Sequence, residues 1–273
     1  MTSNTDMIPG EVSAHIAARL EEVEKTDGVR ILFAVESGSR AWGFPSPDSD
    51  YDVRFVYAHP LEWYLQIDEG RDVIERGIDE HLVDLAGWDI RKALRLLRKS
   101  NAALYEWTRS PIIYRDEGTA RSMIQSLFEA SANRKSLCHH YSHTADGQWR
   151  RAIAGREQVK LKKYFYVVRP LLAFTWAKRL GTPPPMNIDD LLLEVPLPPE
   201  VDAAFQDVLS RKAVTDETGL SQRVPGLDAW IEQQLDQATA SLAEMQSDNS
   251  GAHQTDALER ANALFRAVVR SEI

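Results

Sequence analysis

The sequence predicts an α+β fold with a small mixed sheet up to about residue 115, followed by a helical C-terminal region over 116–273. Three observations carry this. Apolar, β-branched runs of strand length recur between residues 30 and 87, helical periodicity brackets them, and strand signals fade after residue 116. The expected division is a catalytic domain over 11–115 and a helical domain over 116–273.

Residues 1–10 read as a tail. EVSAHIAARLEEVEKTDG follows as an amphipathic helix, with Val12, Ile16, Leu20 and Val23 on one stripe and Gly28 as its stop. RILFAVES (30–37) and DVRFVYA (52–58) read as strands, and PLEWYLQI as a short helix or turn led by Pro60. RDVIERGI and EHLVDLAG read as two more strands, separated by a turn near Gly77. WDIRKALRLLRKSNAALYEW predicts one helix, with Ile90, Leu94 and Leu97 as its apolar stripe and Asp89 as its cap. Its basic residues Arg91, Lys92, Arg95, Arg98 and Lys99 read as a solvated face. Further helices are expected over 119–143, 156–180, 197–212, 226–245 and 256–270, with Pro170 kinking or restarting the second of these. SDNSGAHQT (247–255) reads as a loop.

Composition narrows the function classes. A net charge of −9 argues against coating long DNA, because phosphate neutralisation dominates such binding, but it permits a local pocket for a nucleotide or an RNA end. Cys138 is the single cysteine, so an intrachain disulfide and a cysteine-cluster zinc site are excluded. Apolar stretches such as LLAFTWA are too short to span a bilayer, and the N-terminus has no secretory pattern; a cytoplasmic protein is expected. Walker A, dinucleotide-fingerprint and nucleophile-elbow motifs are absent.

The chemistry concentrates in ESGSRAWGFPSPDSDYD (36–52). Gly38 and Ser39 follow directly on a predicted strand, and Asp50 and Asp52 come at the start of the next. Side chains alternate along a strand, so Asp50 and Asp52 point the same way and form a seat for a divalent cation. Gly38 permits close approach of the backbone to phosphate, and Ser39 offers a hydroxyl donor. Arg40 is placed either to reach a phosphate or to pair with Asp48 or Asp50. Taken alone DSDYD reads as a solvated turn; the strand-ending Gly-Ser at this spacing favours the catalytic reading.

Gly-Ser, a spacer, then Asp-x-Asp resembles the nucleotidyltransferase signature of the DNA polymerase β superfamily. The blocks ESGSRAWGFPSPDSDYDVRFVYAHPLEWYL, LAGWDIRKALRLLRKSNAALYEWTRSPIIY and LKKYFYVVRPLLAFTW more narrowly resemble the RNA-ligase-associated (RlaP-like) nucleotidyltransferases. The likeness runs from about residue 30 to 195. It implies a polymerase-β-like fold, Mg2+ or Mn2+ as cofactor and transfer of a nucleoside monophosphate from a triphosphate to an acceptor hydroxyl. The acceptor is an RNA end, a small molecule or a protein, with RNA suggested by the family's association.

Members of that superfamily add a third acid from a neighbouring strand. Of the candidates Asp79, Glu80, Asp84 and Asp89, Asp84, inside a β-rich run, is favoured for metal binding and for helping to deprotonate the acceptor, with Asp89 second. Lys162, Tyr166 and Arg169 recur at i, i+4 and i+7 on one helical face beside Lys163. The resemblance tips the three cations toward phosphate, and Tyr166 offers a stacking surface for a base. The competing reading is a non-catalytic module that senses nucleotide or RNA.

Overall fold

In the computed structural model, residues 8–46, 48–214, 219–245 and 251–271 are described. The order is α1 (Gly10–Asp27), β1 (Arg30–Glu36), α2 (Gly38–Trp42), β2 (Tyr51–Ala58), α3 (Leu61–Tyr64), β3 (Val73–Arg76), β4 (Val83–Asp89), α4 (Ile90–Arg98), α5 (Ala102–Arg109) and β5 (Ile113–Asp116). There follow α6 (Ala120–Ser131), α7 (Arg134–Ala152), β6 (Gln158–Lys160), α8 (Lys162–Leu180), α9 (Ile188–Glu194), α10 (Pro199–Val214), β7 (Leu220–Gln222), α11 (Pro225–Glu244) and α12 (Gly251–Val269). None of the described helices is long and apolar enough to cross a membrane.

Five strands form one mixed sheet in the order β3-β4-β2-β1-β5, as the α+β prediction requires. β2 and β4 are parallel; the other neighbours are antiparallel. On one face the α1 stripe Val12, Ile16, Leu20 and Val23 packs on Val53, Phe55, Tyr57, Val83 and Leu85. Each such aliphatic side chain contributes about 1.5–3 kcal/mol through the water it excludes. Gly28 ends α1 in the left-handed region at φ 63°.

The two compact units are each discontinuous in sequence. Unit 1 comprises 1–41, 50–131 and 249–273, and unit 2 comprises 42–49 and 132–248. α12 closes unit 1 by packing on α4 and α6, and Val268 O accepts from Arg30 Nη2 at 2.9 Å.

Several expectations are corrected. The helix expected over 88–107 is two helices. Ser100 turns to φ 52°, and the Asn101 side chain then accepts Leu104 N–H at 3.1 Å to start α5. The helix expected over 119–143 likewise breaks where the Asn133 side chain caps α7 through Ser136 N–H at 2.9 Å. β6 occupies the start of the expected 156–180 helix, and α8 runs on through Pro170. β5, β7 and α9 are additions. The loop expected over 247–255 is helical from Gly251, and its residues 247–250 lie outside the described ones. Of the expected tail, 1–7 lie outside the described residues, while Ile8 is buried in the core and Gly10 begins α1.

The turn before β4 is clamped by Asp79. Its carboxylate accepts from His15 at 2.7 Å, Arg19, and the backbone N–H of His81 at 2.9 Å and Val83 at 3.0 Å. Burial pushes this carboxyl up, but the His15 and backbone hydrogen bonds with the Arg19 charge outweigh it and hold the group at about 2. A depressed carboxyl stabilises the fold above its unfolded value near 4 and ceases to do so as pH falls toward 2. Asp79→Asn is therefore expected to cost about 2 kcal/mol in urea unfolding at pH 7. The gap to the parent protein should close between roughly pH 4 and 2.

Candidate active site

β1 ends at Glu36, and the chain turns at once into α2 through Gly38, whose φ is +62°. A Cβ on Gly38 would lie 2.1 Å from Asp52 Oδ2. Glycine is thus required both by the left-handed backbone and by the carboxylate lying against it. Ser37 N–H donates to Asp52 O at 2.9 Å, and Asp52 N–H donates to Glu36 Oε1 at 2.9 Å. These two bonds fix the motif's halves across the β1–β2 pair.

Asp52 sits opposite Asp84 in the parallel β2–β4 register, so both carboxylates project from one face of adjacent strands. Arg54, two residues on from Asp52, shares that face. Its Nη2 donates to Asp52 Oδ1 at 2.7 Å and pairs with Asp84 Oδ2 at 2.9 Å. Its Nη1 donates to Val53 O and Asp84 O, each at 3.1 Å. Asp50 precedes β2 and is exposed. Its carbonyl accepts from Arg40 Nε at 3.2 Å, and the Arg40 guanidinium lies 4.0 Å from the centre of the Tyr51 ring.

Behind Asp52, Glu36 is fully buried and accepts from Tyr114 Oη at 2.5 Å. Burial pushes the Glu36 carboxyl up to about 7, helped by the nearby Asp52 charge and opposed by the Tyr114 and Asp52 N–H hydrogen bonds. Burial and the Glu36 charge push the Tyr114 hydroxyl up as well.

Asp89 lies at the other end of β4, paired in register with Tyr57. It is buried, caps α4 through Arg91 N–H at 2.7 Å and accepts from Tyr64 Oη at 2.6 Å. The basic face of α4 is engaged with acids: Arg95 holds Glu69 through bonds of 3.0 and 2.8 Å, and Lys92 meets Asp72 at 3.1 Å.

The spacer of the motif, 42–49, packs within unit 2. Ser46 N–H donates to Ser49 Oγ at 2.9 Å and Ser49 N–H to Ser46 O at 3.1 Å, closing a buried turn. The buried Lys212 of α10 donates to Phe44 O, and to Ser46 Oγ at 3.1 Å, with its ammonium over the Phe44 ring. Arg169 is 2% exposed, donates to Met186 O at 2.9 Å and stacks 4.6 Å from the centre of Trp42. Tyr166 meets Trp42 edge-on at 5.3 Å, and Lys163 lies 5.1 Å from the Tyr166 ring centre. Lys162 and Lys163 are half-buried at the start of α8.

Gly38, Ser39, Arg40, Asp50, Asp52 and Asp84 therefore belong to unit 1, whereas Lys162, Lys163, Tyr166 and Arg169 belong to unit 2. Sequence reasoning missed Glu36, Arg54, Tyr114 and Lys212. Arg54 carried a usable signal, its even spacing from Asp50 and Asp52. Lys212 carried none.

The donor set suits Mg2+ or Mn2+. Asp52 and Asp84 offer hard oxygen ligands side by side, and the Arg54 guanidinium already bridges them as a cation. Among the described residues no three acid, histidine or cysteine side chains form a ready cage. Mg2+ needs none, since one or two carboxylates plus substrate phosphates and water complete its shell.

The chain is similar to known proteins. The sequence model of the RNA repair pathway DNA polymerase beta family matches residues 12–267. The uncharacterized protein YcgL of Bacillus subtilis (strain 168) is 41% identical over 233 residues, covering 85% of this chain and 89% of that protein. A crystal structure of a nucleotidyltransferase-like protein from Exiguobacterium sibiricum 255-15 aligns with 95% of this chain and 80% of its own, at 13% identity and a TM-score of 0.32.

Proposed function

The chain belongs to the RNA repair pathway DNA polymerase beta family, whose members are polymerase-β-like nucleotidyltransferases, and on that premise we propose that it transfers a nucleoside monophosphate from a nucleoside triphosphate to an RNA hydroxyl. The observation that carries the proposal is the placement of Asp52 and Asp84 side by side on β2 and β4, against the Gly38 turn. The reading rests on unit 1 alone.

Gly38 and Ser39, both buried at the start of α2, would meet the triphosphate at its edge, with the Ser39 hydroxyl as the donor. Arg40, at the rim beside Asp50, would neutralise phosphate charge. Asp50, Asp52 and Asp84 would hold Mg2+ or Mn2+, which when bound supplies charge stabilisation to the phosphates. Asp84 would take the proton of the acceptor hydroxyl as that oxygen attacks the α-phosphate and pyrophosphate leaves. RNA as acceptor draws its support from the family's repair context.

The test is incubation of the full chain with α-labelled triphosphates, Mg2+ or Mn2+, and RNAs of defined ends. Label is expected to join RNA with release of pyrophosphate, and Asp50→Asn should cut the rate by about 100-fold or more, in line with lost metal-dependent charge stabilisation. Label arriving on a small molecule or protein would overturn the RNA assignment. Tight nucleotide binding without pyrophosphate release would support a sensing module instead.

A further inference from the structure

Arg54 has more bonds than a surface ion pair needs. Its side chain is only 18% exposed and is anchored to carbonyls on both strands while its Nη2 bridges Asp52 and Asp84. The cation therefore sits where two carboxylates of like charge meet, and its position is fixed by the β2–β4 ladder rather than by a flexible rim. Competition for the carboxylate oxygens is what would move it.

We propose that Arg54 makes divalent-metal binding depend on nucleotide, by occupying Asp52 and Asp84 until a triphosphate supplies competing anionic oxygens. This rests on the proposed metal-dependent function above. A bare cation approaching the pair meets a guanidinium that already neutralises one of the two charges and holds one oxygen of each carboxylate, Asp52 Oδ1 and Asp84 Oδ2, so it must compete with that charge. A metal that arrives with a triphosphate brings its own oxygens to complete its shell, and those same oxygens are fork-shaped partners for the displaced guanidinium. Glu36 and Asp50 are the other acids near this face. Glu36 is turned inward to Tyr114 and Asp52 N–H, so Asp52 and Asp84 remain the oxygens in dispute.

The experiment measures Mn2+ retained by the full chain on ultrafiltration, alone and with α,β-methylene-ATP, which cannot be cleaved at the α-phosphate. The parent protein should retain Mn2+ at least about tenfold more tightly with the analogue than without it, the gain expected when phosphate oxygens complete the shell. Arg54→Met should tighten retention of Mn2+ alone by at least about tenfold and shrink the effect of the analogue, because the competing charge is gone. Arg54→Lys should fall between the two, since an ammonium keeps the charge without the fork.

An Arg54→Met protein that melts like the parent yet holds Mn2+ alone no more tightly overturns the proposal; Arg54 would then only orient the carboxylates. If Arg54→Met unfolds, Arg54→Lys decides, and retention equal to or weaker than the parent's overturns it. Asp52→Asn should abolish retention in every case. Retention indifferent to Asp52→Asn would mean that the metal site itself is misassigned, which is distinct from a failure at Arg54 alone.

Discussion

Replacing Gly38 by alanine is expected to lower nucleotidyl transfer at least about 100-fold, the scale on which a displacement near 1 Å costs rate. Two separate physical terms act at this position. The backbone is left-handed at φ +62°, and the new Cβ would lie 2.1 Å from Asp52 Oδ2 and 3.0 Å from its Cγ. The first term costs about 1–2 kcal/mol of stability for a residue with a Cβ. The second forces the carboxylate aside, and with it the oxygens paired to Arg54. A double-mutant cycle separates them. In an Asp52→Ala background the nearest remaining atom of residue 52 is Cβ at 3.5 Å, an ordinary contact. Gly38→Ala should then cost only the backbone term, so the two changes should be non-additive in thermal melts. Additivity would show that the Asp52 carboxylate does not lie against Gly38 in solution.

The second large effect is Asp52→Asn, expected to reduce transfer by about 1,000-fold, or about 4 kcal/mol of transition-state stabilisation. Asparagine keeps the shape and the Arg54 acceptor oxygen but removes the charge. The Asp52–Arg54 pair is part-exposed, so its loss should change stability by no more than about 1 kcal/mol. A large rate loss with a nearly unchanged melt identifies Asp52 as a participant in the chemistry. A variant retaining more than about a tenth of the parent rate would place the metal elsewhere, because charge stabilisation of this kind is not lost cheaply.

The fold was legible where periodicity was strong. The α1 stripe and the core strands β1, β2 and β4 fall where apolar pattern places them. β5 was not legible, because it is only four residues long, none of them fully buried, and it gains strand character by pairing with β1. Two helices were merged into one at both Ser100 and Ala132–Asn133, because the residues at those breaks act through local caps that propensity does not resolve. At the site, alternation puts Asp50 and Asp52 on one face only if both lie in the strand, whereas β2 begins at Tyr51 and Asp50 precedes it. That Asp84 faces Asp52 depends on a parallel pairing across the β3 excursion, a long-range fact no spacing contains. Glu36 is set apart by its burial against Tyr114, a long-range contact that its sequence position does not show.

The discontinuity of unit 1 has a consequence for synthesis. Chains emerge from the ribosome N-terminus first, at about 5–20 residues per second. The sheet that carries Asp52 and Asp84 is translated early, but α12, which packs on α4 and α6, follows all of the described part of unit 2. The motif's spacer also waits, since its anchors Arg169 and Lys212 are translated more than a hundred residues after it. The unit begun first is the one completed last, so a nascent chain holds its carboxylates long before the helix that closes their unit has been made.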